Sequence, residues 1–237
     1  KRLALRCESL EKTIRVLKKK NWTYSAPDIP WSYWIEQGHD EDYANNADRV
    51  VRSMKTSTQA LRLTTSFQDV YIGTASAAAT PILSDNVLNQ RWEQLANAIQ
   101  LSERIDTIFL FKVQLDKRTL QMIEVSLRQK GITKFVLDEN NFSGHEGVQF
   151  ATDVLKSNRT IGTFCWDDNP FRNKEDAYKL VDAILEHPTI NTVEFVDSLN
   201  EDIAPLQRLF GGMGTGTLVK VDLSFNDIKT NGDRCIP

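Results

Sequence analysis

Residues 132–142 read ITKFVLDENNF, and residues 161–171 read IGTFCWDDNPF. Both stretches place apolar residues at their first, fourth, sixth and eleventh positions and asparagine at the ninth. LVKVDLSFNDI at residues 218–228 repeats the pattern, and INTVEFVDSLN at residues 190–200 keeps it except that Ser198 stands at the asparagine position. The four stretches begin 29, 29 and 28 residues apart. Self-similarity at a fixed period predicts a repeat architecture.

The pattern weakens toward the N-terminus. IDTIFLFKVQL at residues 105–115 keeps the apolar positions but has Val113 at the asparagine position, and FQDVYIG at residues 67–73 supplies a possible first unit. The 38 residues that separate these two starts indicate an insertion. We place it at residues 73–86, GTASAAATPILSDN, where small and turn-forming residues predict a loop.

Helical segments follow the apolar stretches. Residues 89–101, 144–158 and 174–188 each place apolar residues along one helical face. Each unit is therefore a strand, a turn and a helix, and neighbouring units must stack because none can bury its apolar face alone.

The glycine-rich residues 211–216 lie between a helix and a strand. This order predicts a loop rather than a phosphate cradle, which needs a helix N-terminus after the loop.

The repeated positions resemble the leucine-rich repeat family, in its ribonuclease-inhibitor-like class, over residues 67–230. The resemblance implies an α/β fold, a curved horseshoe-shaped solenoid with a parallel sheet on its concave side and helices outside. It also implies that the asparagines form a ladder along the solenoid, which Val113 and Ser198 interrupt. A member of this family is expected to bind a partner rather than to catalyse a reaction.

Residues 1–20 form a predicted amphipathic helix that precedes the repeats. Leu3, Cys7, Leu10, Ile14 and Leu17 follow a 4-3-4-3 spacing, which is the seam of a coiled coil. A helix that caps the first repeat explains the spacing equally well, and a helix lying on a membrane surface is a third interpretation. We expect this seam to face another helix or the end of the solenoid.

Residues 21–66 are predicted to link that helix to the repeats and to cap them. Pro27 and Pro30 favour an extended or turned backbone, and residues 47–62 read as a helix. We expect the aromatic residues of this region to cover the first repeat: Trp22, Tyr24, Trp31, Tyr33 and Trp34. The predicted repeat domain, of about five to six repeats, then occupies residues 67–237.

Charge and cysteine content restrict the classes of partner. The net charge is −3, but residues 1–20 contain eight Lys or Arg and two Glu, so residues 21–237 carry −9. An acidic body binds phosphate poorly, which argues against nucleic acid as a partner unless residues 1–20 alone provide the contact.

The cysteines are Cys7, Cys165 and Cys235. Few and widely separated cysteines favour a reducing, intracellular location, which we expect to be the cytoplasm. No apolar run reaches the ~20 residues of a membrane span.

Alternation along the predicted strands assigns side chains to the concave face. Two groups result. Tyr71, Phe109 and Phe111 form an apolar group, here called the aromatic patch. The second group, here called the acidic field, contains Asp138, Glu139, Asp167, Asp168, Glu194, Asp197 and Asp222. Like charges in adjacent strands repel each other, so we expect a cation or a basic segment of a protein partner to relieve that repulsion. The alternatives are that the field is only solvated and that residues 1–66 or 75–86 cover the aromatic patch.

Catalytic and cofactor motifs are not apparent in the sequence. His39, His145 and His187 have no zinc-site spacing. His187 is expected to be partly charged at a helix end. Cys165 is expected on a strand near Asp167, as an inert thiol whose pKa the neighbouring acids raise. We therefore predict no enzyme activity, no metal and no cofactor.

Two functions remain in competition. The first is a non-enzymatic interaction module, an adaptor, regulator or assembly subunit, that binds a protein on its concave face. The alternative is a structural subunit of a cytoskeletal, ciliary or organellar complex, held through residues 1–20, which pair with a partner helix, and through the convex side.

Overall fold

The computed structural model describes residues 28–63, 68–75, 79–82, 86–102, 105–128, 130–142, 145–199, 204–213 and 216–226, together with Leu10 and Ile14. Six strands form one parallel sheet in the order β1-β3-β5-β6-β7-β8. These strands are β1 Gln68–Gly73, β3 Ile105–Phe111, β5 Lys134–Asp138, β6 Thr163–Asp167, β7 Thr192–Glu194 and β8 Lys220–Asp222. Phe67, the proposed start of the first unit, lies outside the described residues.

Seven helices lie in the described ranges from residue 28 onward, in addition to the helical residues Leu10 and Ile14. They are α1 Trp31–Glu36, α2 Glu41–Leu63, α3 Asn86–Leu101, α4 Lys117–Leu127, α5 His145–Ser157, α6 Lys174–Leu185 and α7 Ala204–Met213. Consecutive helices contact one another, and α2 also contacts β1. The alternation of helices with parallel strands is compatible with a repeat solenoid, and it confirms the predicted mixed α/β class.

The repeated apolar positions form the core between sheet and helices. Strand pairing sets equivalent residues of successive units side by side, for example Phe135 beside Phe164 and Leu137 beside Trp166. All of these are fully buried, as are Val193 and Phe195. The repeat predicts that Val221 and Leu223 of the last unit are buried in the same way, but both are only partly buried. Among the described strands, β8 has a neighbour on one side only.

Side-chain hydrogen bonds connect the turns of neighbouring units. Asn169 Oδ1 accepts from the backbone N–H groups of Asn140 and Phe142 at 2.9 and 3.1 Å, and its Nδ2 donates to Leu137 O at 3.1 Å. The expectation that Ser198 breaks this series is wrong. Its hydroxyl accepts from Asn169 N–H at 3.2 Å and donates to Trp166 O at 2.7 Å, because a hydroxyl is both acceptor and donor.

The series does change at Val113, as predicted. Asn140 Nδ2 donates to Val113 O at 3.1 Å, but Asn140 Oδ1 is buried without a hydrogen-bond donor among the described residues. Val113 instead belongs to a separate short strand, β4 Val113–Gln114, which pairs in parallel with β2 Thr80–Pro81. The expectation of a loop throughout residues 73–86 is therefore wrong at β2.

A second series of hydrogen bonds links the units at the starts of the strands. The hydroxyls of Thr160, Thr189 and Thr217 donate to the carbonyl oxygens of Ile132, Ile161 and Ile190 at 2.8, 3.0 and 2.7 Å. Each threonine directly precedes the first apolar position of its unit. Sequence reasoning missed this series, although its spacing follows the same period.

The segments before β1 are more helical than predicted. Pro30 is the N-cap of α1, and α2 begins at Glu41 rather than near residue 47. Proline is compatible with a helix start because the first helical N–H groups have no intrahelical acceptor. Trp34 is buried and packs edge-on against Tyr43 at 5.9 Å, whereas Trp31 is exposed. Trp22 and Tyr24 lie outside the described residues.

Two smaller expectations also need correction. α7 extends through Gly211 and Gly212, so the glycine-rich stretch is not wholly a loop. His187 is buried, and desolvation lowers the pKa of its imidazole, which argues against the expected positive charge. Its Nε2–H instead donates to the Asn158 carbonyl at 2.6 Å.

Candidate binding face of the sheet

The sheet face opposite the buried strand positions carries the residues predicted for binding, and we call it the open face. Its residues alternate with the core positions along each strand. Phe109, Asp138 and Asp167 are partly exposed, whereas Val136 and Cys165, in the middle of the face, are buried. The open face therefore has two accessible regions, the aromatic patch and the acidic field, around a covered centre.

The aromatic patch is assembled as predicted. Tyr71 lies beside Phe109 in the pairing of β1 with β3, and their rings stack at 5.1 Å with an interplanar angle of 15°. Phe111 lies 5.8 Å from Phe109, measured between ring centroids. Gly73 is next to Phe111, where a Cβ would come within 2.5 Å of the Phe111 carbonyl oxygen. Tyr71 remains 45% exposed, so the described segments before β1 leave the patch accessible.

The acidic field begins where the aromatic patch ends. Phe111 is the register neighbour of Asp138, and Asp138 is the register neighbour of Asp167. Desolvation raises the pKa of Asp138, and the negative charges of Glu139 and Asp168 raise it further. Desolvation, followed by repulsion from Asp138, Glu194 and Asp222, raises the pKa of Asp167 to about 7. The hydrogen bond from Val196 N–H to Asp167 Oδ1, at 3.3 Å, opposes this rise.

The residue that follows the open-face strand positions adopts a left-handed conformation in successive units. This group is Lys112, Glu139, Asp168, Asp197 and Phe225, with φ between 47° and 61°. Glycine or asparagine is the usual residue there, since other side chains are strained. The backbone N–H groups of Glu139 and Asp168 donate to Asp167 O and Val196 O in the next unit at 2.9 and 2.8 Å. The carboxylates of Glu139, Asp168 and Asp197 therefore lie at the rim of the sheet.

One lysine partly neutralises the acidic field. Lys112 Nζ lies 2.7 Å from Glu139 Oε2 and 5.3 Å from the centroid of the Phe111 ring. It also opposes the rise in the pKa of Asp138 and of Asp168, which desolvation and neighbouring acids cause. Sequence reasoning gave Lys112 no role. Lys112 directly follows Phe111 and occupies the same position in its unit as Glu139 does in the next unit. The repeat could therefore have indicated that these side chains are neighbours.

The remaining predicted residues lie on the same face in different surroundings. Glu194 Oε2 accepts a hydrogen bond from the Cys165 thiol at 2.9 Å. Asp222 bonds the hydroxyl and backbone N–H of Ser224, which lowers the pKa of its carboxyl. Asp197 is exposed at the rim. The field is therefore one continuous surface, but it is not a single cluster of contacting carboxylates.

Cys165, Asp167 and Glu194 have donor atoms within 4.8 Å of one another, close enough to contact one metal ion. Desolvation, then the hydrogen bond and charge of Glu194, raise the pKa of the Cys165 thiol far above neutrality. A thiol binds metal as the thiolate, so the protonated Cys165 is a poor ligand. We therefore assign no metal to this group. The prediction that Cys165 lies on a strand near Asp167 is confirmed.

The predicted seam of residues 1–20 lies almost wholly outside the described residues. Leu10 and Ile14 are described as helical, and they are 62% and 51% exposed. The described part of the chain therefore does not bury either side chain.

None of the helices in the described ranges combines the length and the apolar content that a membrane crossing requires. Comparison of the sequence with protein-family models and with curated proteins finds no match.

Proposed function

We propose that this chain is a non-enzymatic protein-interaction module of the leucine-rich repeat type, which binds a basic segment of a protein partner on the open face. The observation that carries the proposal is the direct junction of the aromatic patch with the acidic field at Phe111 and Asp138. The side chains of Asn169 and Ser198 bond backbone groups of the preceding unit at equivalent positions, which supports the repeat class. The buried, free thiol of Cys165 fits a reducing, intracellular setting.

The two regions of the open face have different roles in this proposal. Clustered carboxylates create a negative potential that attracts a basic ligand and speeds association. Exposed aromatic side chains supply the apolar contact area that slows dissociation, as they do at many protein interfaces. Because both Asp138 and Asp167 are poorly solvated and mutually repelled, a partner's positive charge relieves an unfavourable interaction that is already present in the unbound protein.

The experiment compares partner capture and binding kinetics for wild type and charge variants. The double variant Asp138→Lys/Asp167→Lys should lose partners that wild type captures and should slow their association at low salt. Phe109→Ala should mainly speed dissociation. The matched control is Glu175→Lys/Glu186→Lys, which makes the same change in net charge at exposed positions of α6 and its C-cap. An unchanged association rate at low salt after Asp138→Lys/Asp167→Lys would contradict the proposal.

One observation favours the second candidate, a structural subunit held through its N-terminal helix. Leu10 and Ile14 are four residues apart, both helical and both exposed. Residues four apart lie on the same helical face, so they present an apolar surface to a partner helix. This second function does not require the open face. Deletion of residues 1–20 should therefore abolish it and leave binding at the open face unchanged.

A further inference from the structure

The most specific feature of the open face is the junction between the aromatic patch and Asp138. We propose that this junction is a seat for one arginine side chain of the partner, which lies across the aromatic patch with its guanidinium against the Asp138 carboxylate. The inference rests on the proposed function and narrows it, from a basic segment to an arginine at a defined position.

The protein's own Lys112 shows that this surface accommodates a cation. Its ammonium lies between the Phe111 ring, at 5.3 Å from the centroid, and Glu139, at 2.7 Å. An aromatic ring face attracts a cation within ~6 Å of its centroid. Lys112 and Glu139 therefore satisfy each other, whereas Asp138, one residue before Glu139, has no such partner.

Asp138 is the carboxylate that lacks a donor. No described residue donates a hydrogen bond to its side chain or forms an ion pair with it, although the carboxyl is partly withdrawn from water. A carboxylate in this position is poorly solvated and unpaired, which is costly. The nearby cations on the open face are Lys112, already paired with Glu139, and Lys134, which is exposed at the start of β5.

The aromatic patch provides the surface next to this carboxylate. Tyr71 is close enough that Asp138 contributes to the raised pKa of its phenol, whose main cause is desolvation. The Tyr71 and Phe111 rings are 6.5 Å apart and tilted by 45°, so they do not cover each other. An alkyl chain that ends in a cation suits such a surface, because its stem covers apolar rings while its head reaches the acid.

Arginine fits this arrangement better than lysine. Its guanidinium is planar, more weakly hydrated than an ammonium, and stacks on aromatic rings. It also donates two parallel N–H groups to one carboxylate, which suits an Asp138 that has no other donor. A lysine would gain the charge but neither the ring stacking nor the second hydrogen bond.

The test uses the full chain and three fluorescein-labelled peptides of equal length, in which glycine alternates with arginine, lysine or the uncharged arginine analogue citrulline. Binding is followed by fluorescence anisotropy at low and physiological salt. Wild type should bind the arginine peptide about three- to tenfold more tightly than the lysine peptide, the range expected for a cation on an aromatic surface. The citrulline peptide should bind most weakly.

Two variants should reduce this preference. Tyr71→Leu keeps an apolar side chain at a 45% exposed position but removes one ring of the patch, so the difference in affinity between the arginine and lysine peptides should shrink. Asp138→Asn should weaken both peptides, and the arginine peptide more. Phe225→Leu and Glu175→Gln are matched controls at exposed positions outside the patch and the junction, and they should keep the wild-type preference.

The outcomes separate the seat from the broader proposal. If arginine and lysine peptides bind wild type equally, while Asp138→Lys/Asp167→Lys weakens both, the arginine seat is wrong and the basic-segment proposal stands. If the citrulline peptide binds as tightly as the arginine peptide, the occupant is not a cation. If no peptide binds wild type more tightly than it binds the double variant, both proposals fail.

Discussion

At the scale of single residues, Asp167 is the most perturbed carboxyl of the open face. Its folded pKa of about 7 lies above the ~3.9 of an unfolded aspartate. The folded state therefore binds more protons than the unfolded state between about pH 4 and 7, so the free energy of unfolding decreases as pH rises through this window. Above it, Asp167 is ionised in both states and adds no further pH dependence.

Asp167→Asn should accordingly stabilise the protein at pH 8, by about 1–2 kcal/mol, with little effect near pH 4. This range is below the full 1.36 kcal/mol per pKa unit because water partly screens the side chain. The asparagine carbonyl can still accept from Val196 N–H. Urea denaturation at several pH values provides the measurement. Asp222→Asn is the control, because Ser224 lowers the pKa of Asp222 and its loss should not stabilise at pH 8. A pH-independent difference would contradict this assignment.

The residue scale also shows what the sequence could not predict. Alternation along the strands correctly placed Tyr71, Phe109 and Asp138 on one face, because that placement follows from strand periodicity. The degree of exposure did not follow: Cys165 is buried, and its thiol bonds to Glu194 of the next unit. The hydroxyl of Ser198 replaces an asparagine side chain in the hydrogen-bond series, and only its distances to two backbone groups of the preceding unit reveal this.

At the scale of elements, strand β6 and its following turn bury and hold a large aromatic side chain in the core. The Trp166 side chain is fully buried, stacks on Phe171 at 5.5 Å and donates from Nε1 to Asn169 O at 2.7 Å. The sequence predicted this burial from the 29-residue period. It did not predict β2, because a two-residue strand depends on its partner β4 rather than on any pattern of its own.

Trp166→Ala should lower the free energy of unfolding by about 3–5 kcal/mol, the usual cost of removing a buried large aromatic side chain. Trp31→Ala is the matched control, because Trp31 is 40% exposed and its indole bonds only to Asn45 among described contacts. It should cost less than about 1 kcal/mol. Denaturant melts of both variants give the comparison. Equal losses would show that the period does not define the core.

At the scale of the whole molecule, charge is distributed unevenly along the chain. Residues 1–20 carry a net +6, whereas the rest carries −9. The described seam residues Leu10 and Ile14 are exposed, and exposed apolar surface commonly marks a contact with another molecule. We therefore propose two surfaces for association, one at Leu10 and Ile14 and the other on the open face.

Deletion of residues 1–20 should change the association state or the set of captured partners more than the melting temperature. Leu10→Glu/Ile14→Glu in the full chain should reproduce the effect, because it removes the apolar surface while keeping the basic residues. Analytical ultracentrifugation and a thermal melt measure the two quantities. If neither variant alters association or partner capture, the spacing of this seam has no role in assembly.

The direction of the hydrogen bonds between units has a consequence for the order in which the chain is completed. Asn169 and Ser198 each satisfy backbone groups of the preceding unit, across 29 to 32 residues. A nascent chain emerging from the ribosome therefore always ends in a unit whose turn still awaits its donors and acceptors. Each newly synthesised unit supplies hydrogen bonds that its predecessor lacks, so we expect the described core to assemble from its first strand to its last.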